Sequence, residues 1–408
     1  MTKPGDVLSG KTVALGVTGG IAAYKAAEVL RELTRRGADV QVIMTANAQR
    51  FVSALTFEAL SHQPVIVDMW EGTPQERIEH IELANRIDGL VVVPATANII
   101  GKFANGIADD FLSTFYTAVH APVVVAPAMN TNMLHHPAVR ANLNTLAERG
   151  VVIVDPEVGE LACETVGEGK LAAVEVIVEY IAVALTEPKD LAGLRVLITA
   201  GPTEEPLDPV RFLTNRSSGK MGYALAQAAR RRGAAVTLIS GPVALDPPPG
   251  VHVVGVRTTE EMLQACLKYL GESDVVIKAA AVADFRPLAP EAQKMKRAGG
   301  HDQTVALQPN PDILAVLGSR KGHRITVGFA AETEDVVANA TKKLKAKNAD
   351  LMVANDVSRS DIGFGQEANE VTICFADGRI EPHDKMDKLA VAHIVLDAVV
   401  RLRDEQAS

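Results

Sequence analysis

Residues 13–20 read VALGVTGG, an apolar run ending in glycines, and after a helical interval residues 35–45 read RRGADVQVIMT, a second apolar run. The same progression returns at residues 196–202, VLITAGP, and 217–242, SSGKMGYALAQAARRRGAAVTLISGP. Near-continuous Val, Ile and Leu suit strands buried on both faces, as parallel pairing under covering helices requires. Similar runs occupy residues 89–95, 122–129 and 151–156 in the first half and 251–256, 274–281, 325–331 and 350–356 in the second. The pattern predicts two doubly wound, Rossmann-like α/β domains on mainly parallel sheets. The helical pattern stops before TEPKDLAG, residues 186–193, whose Pro and charges precede the next strand. That stretch separates an expected first domain, 1–190, from a second, 191–408. Open sheets of this kind bind ligands at the carboxyl ends of their strands, which makes strand ends the candidate sites. DPPPG at 246–250 and Gly299–Gly300 read as loops.

A length of 408 residues exceeds the roughly 250–300 that one core serves, in keeping with two domains. Hydrophobic residues at 47% and charged residues at 22% exclude a long disordered chain. With 50 Asp and Glu against 41 Lys and Arg, the formal charge of −9 argues against nucleic acid or an anionic membrane as the general partner. Any anion site must be local. The most apolar stretch, 171–185, is interrupted by Glu175 and Glu179, so no membrane span is expected, and residues 1–17 lack a secretory pattern. A cytoplasmic protein is the expectation. Cys163, Cys266 and Cys374 are too scattered for a disulfide framework or a zinc site. Cys266 in EMLQACLKYL and Cys374 in VTICFA read as core residues, whereas Cys163 lies in the Gly-rich GELACETVGEGK.

The glycine loops do not settle the chemistry by themselves. Gly16 to Gly20 is not a GxGxxG dinucleotide fingerprint, and Gly219 to Gly222 lacks the features of a P-loop. Each loop precedes a predicted helix, whose amino end suits a phosphate, but a tight turn for close helix–strand packing explains the glycines equally well.

Four elements of the first half occur in a telling order: TGGIAAYK at 18–25, HIELAN at 80–85, VVPATAN at 92–98 and PAMNTNM at 127–133. Together they resemble the homo-oligomeric flavin-containing cysteine decarboxylase family. The second half carries ITAGPTEEPLDPVRFLTNRSSGKMG at 198–222, KAAAVADFRP at 278–287, KMKR at 294–297, NPDI at 310–313 and VGFAAET at 327–333. These resemble phosphopantothenate-cysteine ligase. The two resemblances, in this order, cover nearly the whole chain and point to the bacterial bifunctional phosphopantothenoylcysteine decarboxylase/phosphopantothenate-cysteine ligase family of coenzyme A synthesis.

Decarboxylation of an N-acylated cysteine leaves a carbanion with no adjacent electron sink. The resemblance implies that FMN supplies one by reversible oxidation of the thiol-bearing carbon, the protein providing position and proton transfer. It implies FMN phosphate contacts from Gly19, Gly20 and Thr45, and flavin contacts from Ala95, Thr96 and Asn98. His80 matches the family's active-site histidine, an imidazole of pKa about 6.5 suited to proton exchange, although alone it reads as a structural or surface residue. Asn130 is implied to hold the substrate carboxylate; without the family, an Asn capping a turn is an equal reading. Cys163 corresponds to the flap cysteine that protonates the reduced intermediate. Glu164, Thr165 and Lys170 stand where the family pattern has Gly, Asp and Arg.

Joining a carboxylate to an amine requires its activation, and the resemblance implies attack on CTP to give an acyl-cytidylate and pyrophosphate, followed by displacement of CMP by cysteine. Cations and oriented N–H groups should dominate. Lys294 is implied to serve nucleotidyl transfer, with Arg297 departing from the usual Lys; as a bare charge cluster the segment reads as a solvated loop. Asp284 is expected at CTP or its Mg2+. Lys343 and Lys347, spaced i,i+4 on a predicted helix, repel one another unless an anion lies above them. Phe329, Ala280 and the backbone of Asn310, Pro311, Asp312 and Ile313 are expected to frame the nucleotide. Arg211 and Asn215 match residues that handle phosphopantothenate and its cytidylate, and Ser217, Ser218 and Gly219 are expected to take the substrate phosphate.

Rival readings are a two-domain nicotinamide oxidoreductase, a noncatalytic nucleotide-sensing module, and the same fold with only the ligase half active. By family resemblance, decarboxylase trimers and ligase dimers are expected to close as a homododecamer.

Overall fold

The computed structural model describes residues 6–69, 79–160, 166–295, 304–332, 334–356, 366 and 368–407, with Glu79, Asp356 and Ala407 as backbone only. Its internal contacts divide the chain into residues 1–186 and 187–408.

In the first unit β1 (Thr12–Val17), α1 (Ala26–Arg35), β2 (Asp39–Met44) and α2 (Ala54–Ser61) form the opening crossover. There follow α3 (Glu79–Arg86), β3 (Gly89–Ala95), α4 (Ala97–Asn105), α5 (Phe111–Ala118) and β4 (Val123–Pro127). Then come α6 (Thr131–Leu134), α7 (Pro137–Glu148) and β5 (Val152–Ile153). The five strands run parallel in the order β2-β1-β3-β4-β5, with Leu15 facing Val42 on one side and Val91 on the other. Alternation within β1 explains its unbroken apolar sequence. Val13, Leu15 and Val17 face α1 and the later α8, whereas Ala14 faces Ile99, Phe103 and Phe115. Each fully buried Val or Leu contributes about 1.5–3 kcal/mol, so both faces drive folding. An antiparallel hairpin, β6 (Glu157–Glu160) and β7 (Val166–Lys170), then leads into α8 (Val174–Leu185). The most apolar stretch of the chain is thus a covering helix, and its buried Glu179 lies 3.7 Å from the Arg36 guanidinium. No helix among the described residues is long and apolar enough to cross a membrane.

The second unit starts with β8 (Arg195–Ala200), the short hairpin β9 (Glu204–Pro206) and β10 (Phe212–Thr214), and α9 (Lys220–Arg231). Next are β11 (Ala235–Ser240), β12 (His252–Gly255), α10 (Thr259–Leu270) and β13 (Val275–Lys278). A second small hairpin, β14 (Phe285–Pro287) and β15 (Leu307–Pro309), precedes α11 (Ile313–Ser319), β16 (Ile325–Glu332), α12 (Val336–Ala346) and β17 (Leu351–Asp356). The chain closes with β18 (Ala368–Phe375), β19 (Ile380–Asp387) and α13 (Lys388–Ala407). The sheet order is β12-β11-β8-β13-β16-β17-β18-β19, parallel through β17 and antiparallel for the last two strands. The edge hairpin β18–β19 is absent from the sequence expectation. β18 alternates only over its first half before the buried Ile373–Phe375, and β19, after the turn at Asp377–Gly378, has no buried position, so neither strand reads as the long apolar runs of the parallel strands do. Cys266 and Cys374 are buried core residues, and burial pushes the Cys266 thiol up to about 12.

Helix α9 lies directly on β8. A Cβ at Gly222 would stand 2.5 Å from the Ala200 Cβ, so this glycine is required by close packing. Gly222→Leu is expected to destabilise the protein by about 1–3 kcal/mol through overpacking. A lowered thermal unfolding midpoint of the full chain checks this; an unchanged midpoint would mean that α9 stands off the sheet.

Candidate active sites

The order β2-β1-β3-β4-β5 reverses direction between β1 and β3, and the crevice of such a sheet opens at the carboxyl ends of those two strands. Thr18 joins them: its hydroxyl donates to the Pro94 carbonyl at 2.6 Å and accepts the Thr96 N–H at 3.2 Å. Thr96 is the N-cap of α4, its hydroxyl accepting the Ile99 N–H at 3.4 Å. A Cβ at Gly19 would lie 2.5 Å from the Asn47 Cβ, so the loop after β1 presses on the loop after β2. In that second loop Thr45 donates its N–H to the Val17 carbonyl at 3.0 Å and accepts the Ala48 N–H on its hydroxyl at 3.3 Å. Gly19, Gly20, Thr45, Ala95 and Thr96 therefore share one edge. Asn98 is exposed on the first turn of α4, and Ala95 is fully buried, which leaves its backbone as the reachable part.

Asn130 follows β4 as the N-cap of α6, its Oδ1 accepting the Asn132 N–H at 2.9 Å. Strand β7 is fastened beside it. The Met129 N–H donates to the Gly169 carbonyl at 3.0 Å, the Thr131 hydroxyl donates to the Glu168 carbonyl at 2.7 Å, and His135 Nε2 meets the Glu168 carboxylate at 2.8 Å. Cys163, Glu164 and Thr165 lie outside the described residues. Lys170, on the described arm, lies 3.5 Å from the Glu157 carboxylate. His80 sits half-buried on α3 with its ring edge-on to Phe111, centroids 6.3 Å apart, and makes no hydrogen bond among the described residues.

In the second unit the crevice opens between β8 and β13, where the strand order again reverses. The turn after β13 is held on every carbonyl from 280 to 283. Lys278 Nζ donates to Ala280 at 2.8 Å, Asn215 Nδ2 to Ala281 at 3.1 Å and Val282 at 3.0 Å, and Asn310 Nδ2 to Ala283 at 2.8 Å. On the amide side, Ala280, Ala281 and Ala283 donate to Thr199 Oγ, the Gly201 carbonyl and Thr203 Oγ. The Asn310 N–H also donates to the Asp284 carbonyl at 2.8 Å. Asn215, Asn310, Ala280 and Asp284 are thus brought together through one turn.

Arg211 and Lys294 are joined less directly. The Arg211 guanidinium donates to Asp208 and, at 2.8 Å, to the Met295 carbonyl, while the Met295 N–H donates to Asp208 Oδ2 at 3.1 Å. Lys294, adjacent, is exposed, and Arg297 lies outside the described residues. Helix α12 ends at Ala346, so Lys347 caps it rather than lying within it. The expected need for an external anion above the two lysines is met differently, because each already has a carboxylate: Lys343 lies 2.6 Å from Glu332 and Lys347 2.9 Å from Asp312. Asp312 also caps α11 by accepting the Ala315 N–H at 3.1 Å. Pro311 and Phe329 are half-buried, whereas the Ile313 side chain is core, leaving its backbone for a ligand. Gly219 is the N-cap of α9 and offers no side chain to the first-turn N–H groups; its own N–H donates to Ser217 Oγ at 3.3 Å, and Ser218 is half-buried beside it.

Residues 2–186 match the family described as "Flavoprotein", and residues 191–402 match the "DNA/pantothenate metabolism flavoprotein C-terminal domain". A coenzyme A biosynthesis bifunctional protein of Bacillus subtilis (strain 168) is 48% identical over 97% of this chain and 98% of its own length. The corresponding protein of Escherichia coli (strain K12) is 43% identical over 98% and 99%. The chain belongs to the coenzyme A biosynthesis bifunctional protein family. The solved C-terminal domain of one such protein is 42% identical and covers 53% of this chain and 100% of its own, with a TM-score of 0.47.

In this member of the coenzyme A biosynthesis family, sequence reading passed over two residues of the second unit, one at its crevice and one at the Lys294 segment. Lys278 ends β13 within the quoted KAAAVADF run, and burial, with Lys347 near, pushes its ammonium down to about 8. Asp208 is a buried carboxylate whose Oδ1 accepts the Val210 and Arg211 N–H groups at 2.8 Å each. The DPVR spacing, an Asp before Pro with Arg at i+3, was the available signal. The Arg211 hydrogen bonds hold the Asp208 carboxyl well below its ordinary 3.8. A depressed carboxyl contributes stability that is complete above the ordinary value and is lost only as pH falls through the lower folded one. The Lys294 anchor therefore holds at neutral pH and releases only in strong acid. Asp208→Asn is expected to release it at pH 7, accelerating tryptic cleavage after Lys294 roughly ten-fold through loss of about one charge-assisted hydrogen bond; an unchanged cleavage rate would contradict the anchoring.

Proposed function

We propose that the second unit joins 4'-phosphopantothenate to cysteine with CTP, and that the first unit decarboxylates the product to 4'-phosphopantetheine with FMN. The chain is a bifunctional enzyme of coenzyme A biosynthesis, with a flavoprotein decarboxylase domain and a ligase domain. The observation that carries the ligase reading is the turn 280–283, gripped from one side by Asn215 and from the other by Asn310, so that groups suited to substrate and nucleotide converge on one backbone segment.

In the ligase unit the substrate carboxylate attacks the α-phosphorus of CTP and pyrophosphate leaves, giving an acyl-cytidylate; the cysteine amine then attacks the acyl carbon, CMP leaves and a proton is released. Lys294 and Arg211 face the charge that develops on phosphate oxygens. Ser217, Ser218 and Gly219 at the amino end of α9 receive the phosphate of phosphopantothenate. Lys343 and Lys347 exchange their carboxylate partners for the triphosphate, Phe329, Ala280 and the backbone of residues 310–313 frame the cytidine, and Asn215 orients the cytidylate for attack. Among the described residues no group of three or more His, Cys, Asp or Glu side chains could hold a metal ion. Asp284 would hold Mg2+ together with phosphate oxygens of CTP, and the hard cation would offset charge on those oxygens.

A flavin serves the decarboxylase unit, and its form is FMN. The first crevice fits that group: hydroxyls of Thr45 and Thr96, the exposed Asn98 amide and the backbone at Gly19 suit a phosphate and a polar ring edge, while the Gly20 N–H is already given to the Thr18 carbonyl at 3.0 Å. Bound there, FMN supplies the reversible hydride acceptor that makes loss of CO2 possible. Asn130 holds the substrate carboxylate through its side-chain amide. His80 exchanges a proton with the substrate thiol, and Cys163 returns one to the product carbon.

The exposed apolar residues Ile21, Tyr24, Phe51 and Leu55 on the first unit, and Val210, Phe212, Phe285 and Leu288 on the second, support two self-association faces. Trimeric contacts through one and dimeric contacts through the other close as a dodecamer in the cytoplasm.

The purified chain, given phosphopantothenate, cysteine, CTP and Mg2+, is expected to release pyrophosphate and CO2 and to carry yellow flavin; release of neither overturns the assignment. Cys163→Ser should retain flavin and release CO2 in a single turnover yet lose at least about a hundred-fold in saturated product, the usual worth of a positioned proton donor. Full product formation in that variant would refute the role of Cys163. Asn215→Asp should still form acyl-cytidylate and pyrophosphate in a single turnover while amide formation falls by a similar factor, about a hundred-fold; normal amide formation would refute the role of Asn215.

A further inference from the structure

A buried polar chain ties the hairpin beside Asn215 to the loop that carries Asn310. Thr203 follows β8 and is fully buried; its hydroxyl accepts the Ala283 N–H at 3.0 Å, and its carbonyl accepts the Thr214 hydroxyl at 2.7 Å, one residue before Asn215. Glu205, buried in β9, accepts both the N–H and the hydroxyl of Thr259 on one carboxylate oxygen, at 2.9 and 2.6 Å. Asn310 Nδ2 donates to the same Thr259 hydroxyl at 3.1 Å, and Thr203 Oγ stands 3.2 Å from it.

The hydrogen count fixes the direction of these bonds. The Thr259 hydroxyl is the donor to Glu205 Oε1 at 2.6 Å, so its single hydrogen is spent there. Thr259 Oγ is then an acceptor toward both Asn310 and Thr203, and Thr203 donates its own hydrogen there while receiving the Ala283 N–H. Thr259 is the first residue of α10, so the Glu205 carboxyl sits at the amino end of that helix, whose free N–H groups and positive end suit it and offset part of the cost of its burial. A buried polar group of this kind adds little stability over an apolar replacement and can instead select one arrangement of the groups bonded to it.

We propose that Thr203 and Glu205 are positioning residues of the ligase reaction, setting the Asn310 amide and the turn 280–283 in the geometry that receives CTP while holding the Asn215 hairpin against the same turn. The inference rests on the ligase reading above. Neither side chain reaches the crevice itself; both act through Asn310, Ala283 and Thr214.

The test uses the full chain with steady-state pyrophosphate release at saturating phosphopantothenate and cysteine, alongside thermal unfolding. Thr203→Val is expected to raise KM for CTP roughly ten-fold, the worth of about one lost hydrogen bond, while Thr203→Ser, which keeps the hydroxyl, stays within about two-fold of the wild type. Glu205→Gln should also raise KM for CTP. Flavin absorbance and decarboxylation of supplied phosphopantothenoylcysteine should not change in any of them. A Thr203→Val enzyme with a lowered midpoint and kcat but the wild-type KM for CTP would make the residue merely structural and overturn the proposal. If Thr203→Val does not fold, Glu205→Gln decides: a raised KM supports the proposal, and a wild-type KM, or failure of this variant to fold as well, overturns it. A wild-type chain that consumes no CTP would instead overturn the ligase reading itself.

Discussion

Parallel strands in an open sheet must be covered on both faces, and that constraint places everything else in this molecule. Val13, Leu15 and Val17 look to one helical layer and Ala14 to the other; Val196 and Ile198 face α9 and α13, while Leu197 faces α10. With both faces filled by apolar side chains, little room remains there for polar chemistry, and the strand ends are where backbone and side-chain polar groups can meet a ligand. The carboxyl edge of the first sheet is accordingly where Thr18, Thr96 and Asn130 gather, and that of the second is where Asn215 and Asn310 meet.

The two crevices are held open by different means. In the first unit a single threonine hydroxyl, Thr18, spans the ends of β1 and β3, and the loops after β1 and β2 press directly together. The second unit instead saturates the carbonyls of a whole turn with Lys278, Asn215 and Asn310, and clamps its amides with Thr199, Gly201 and Thr203. Buried backbone groups left unpaired cost about 1–3 kcal/mol each, so such a turn has little freedom to relax. A rigid turn suits a site that must align three substrates, because orientation lost at the moment of reaction has to be restored from binding energy.

Much of this architecture was legible in the chain itself. The apolar runs marked most strands of both sheets because double-sided burial removes the alternation that half-exposed strands show. The hairpin β18–β19 escaped because it lies at an edge, where alternation is mixed with Asn369 and Glu370 and no long apolar run survives. Lys343 and Lys347 were read as a cationic pair in want of an anion, since a single helix cannot disclose that Glu332 and Asp312, contributed by β16 and the loop before α11, stand opposite them. Asp208 escaped for the same kind of reason: its worth lies in Met295, eighty-seven residues away, whose backbone it holds.

Local composition by itself determined which segments become strands and helices and which residue types are available for chemistry, because burial and propensity act over a few neighbouring positions. Motif order determined the family. Which donors meet which acceptors was decided only when the strands took their order in the sheet, for contacts such as Asn215 with Ala281 or Thr203 with Ala283 join residues sixty-six and eighty positions apart. Hydrogen bonds reach about 3 Å and carry no trace in sequence spacing, so only the folded chain could pair them.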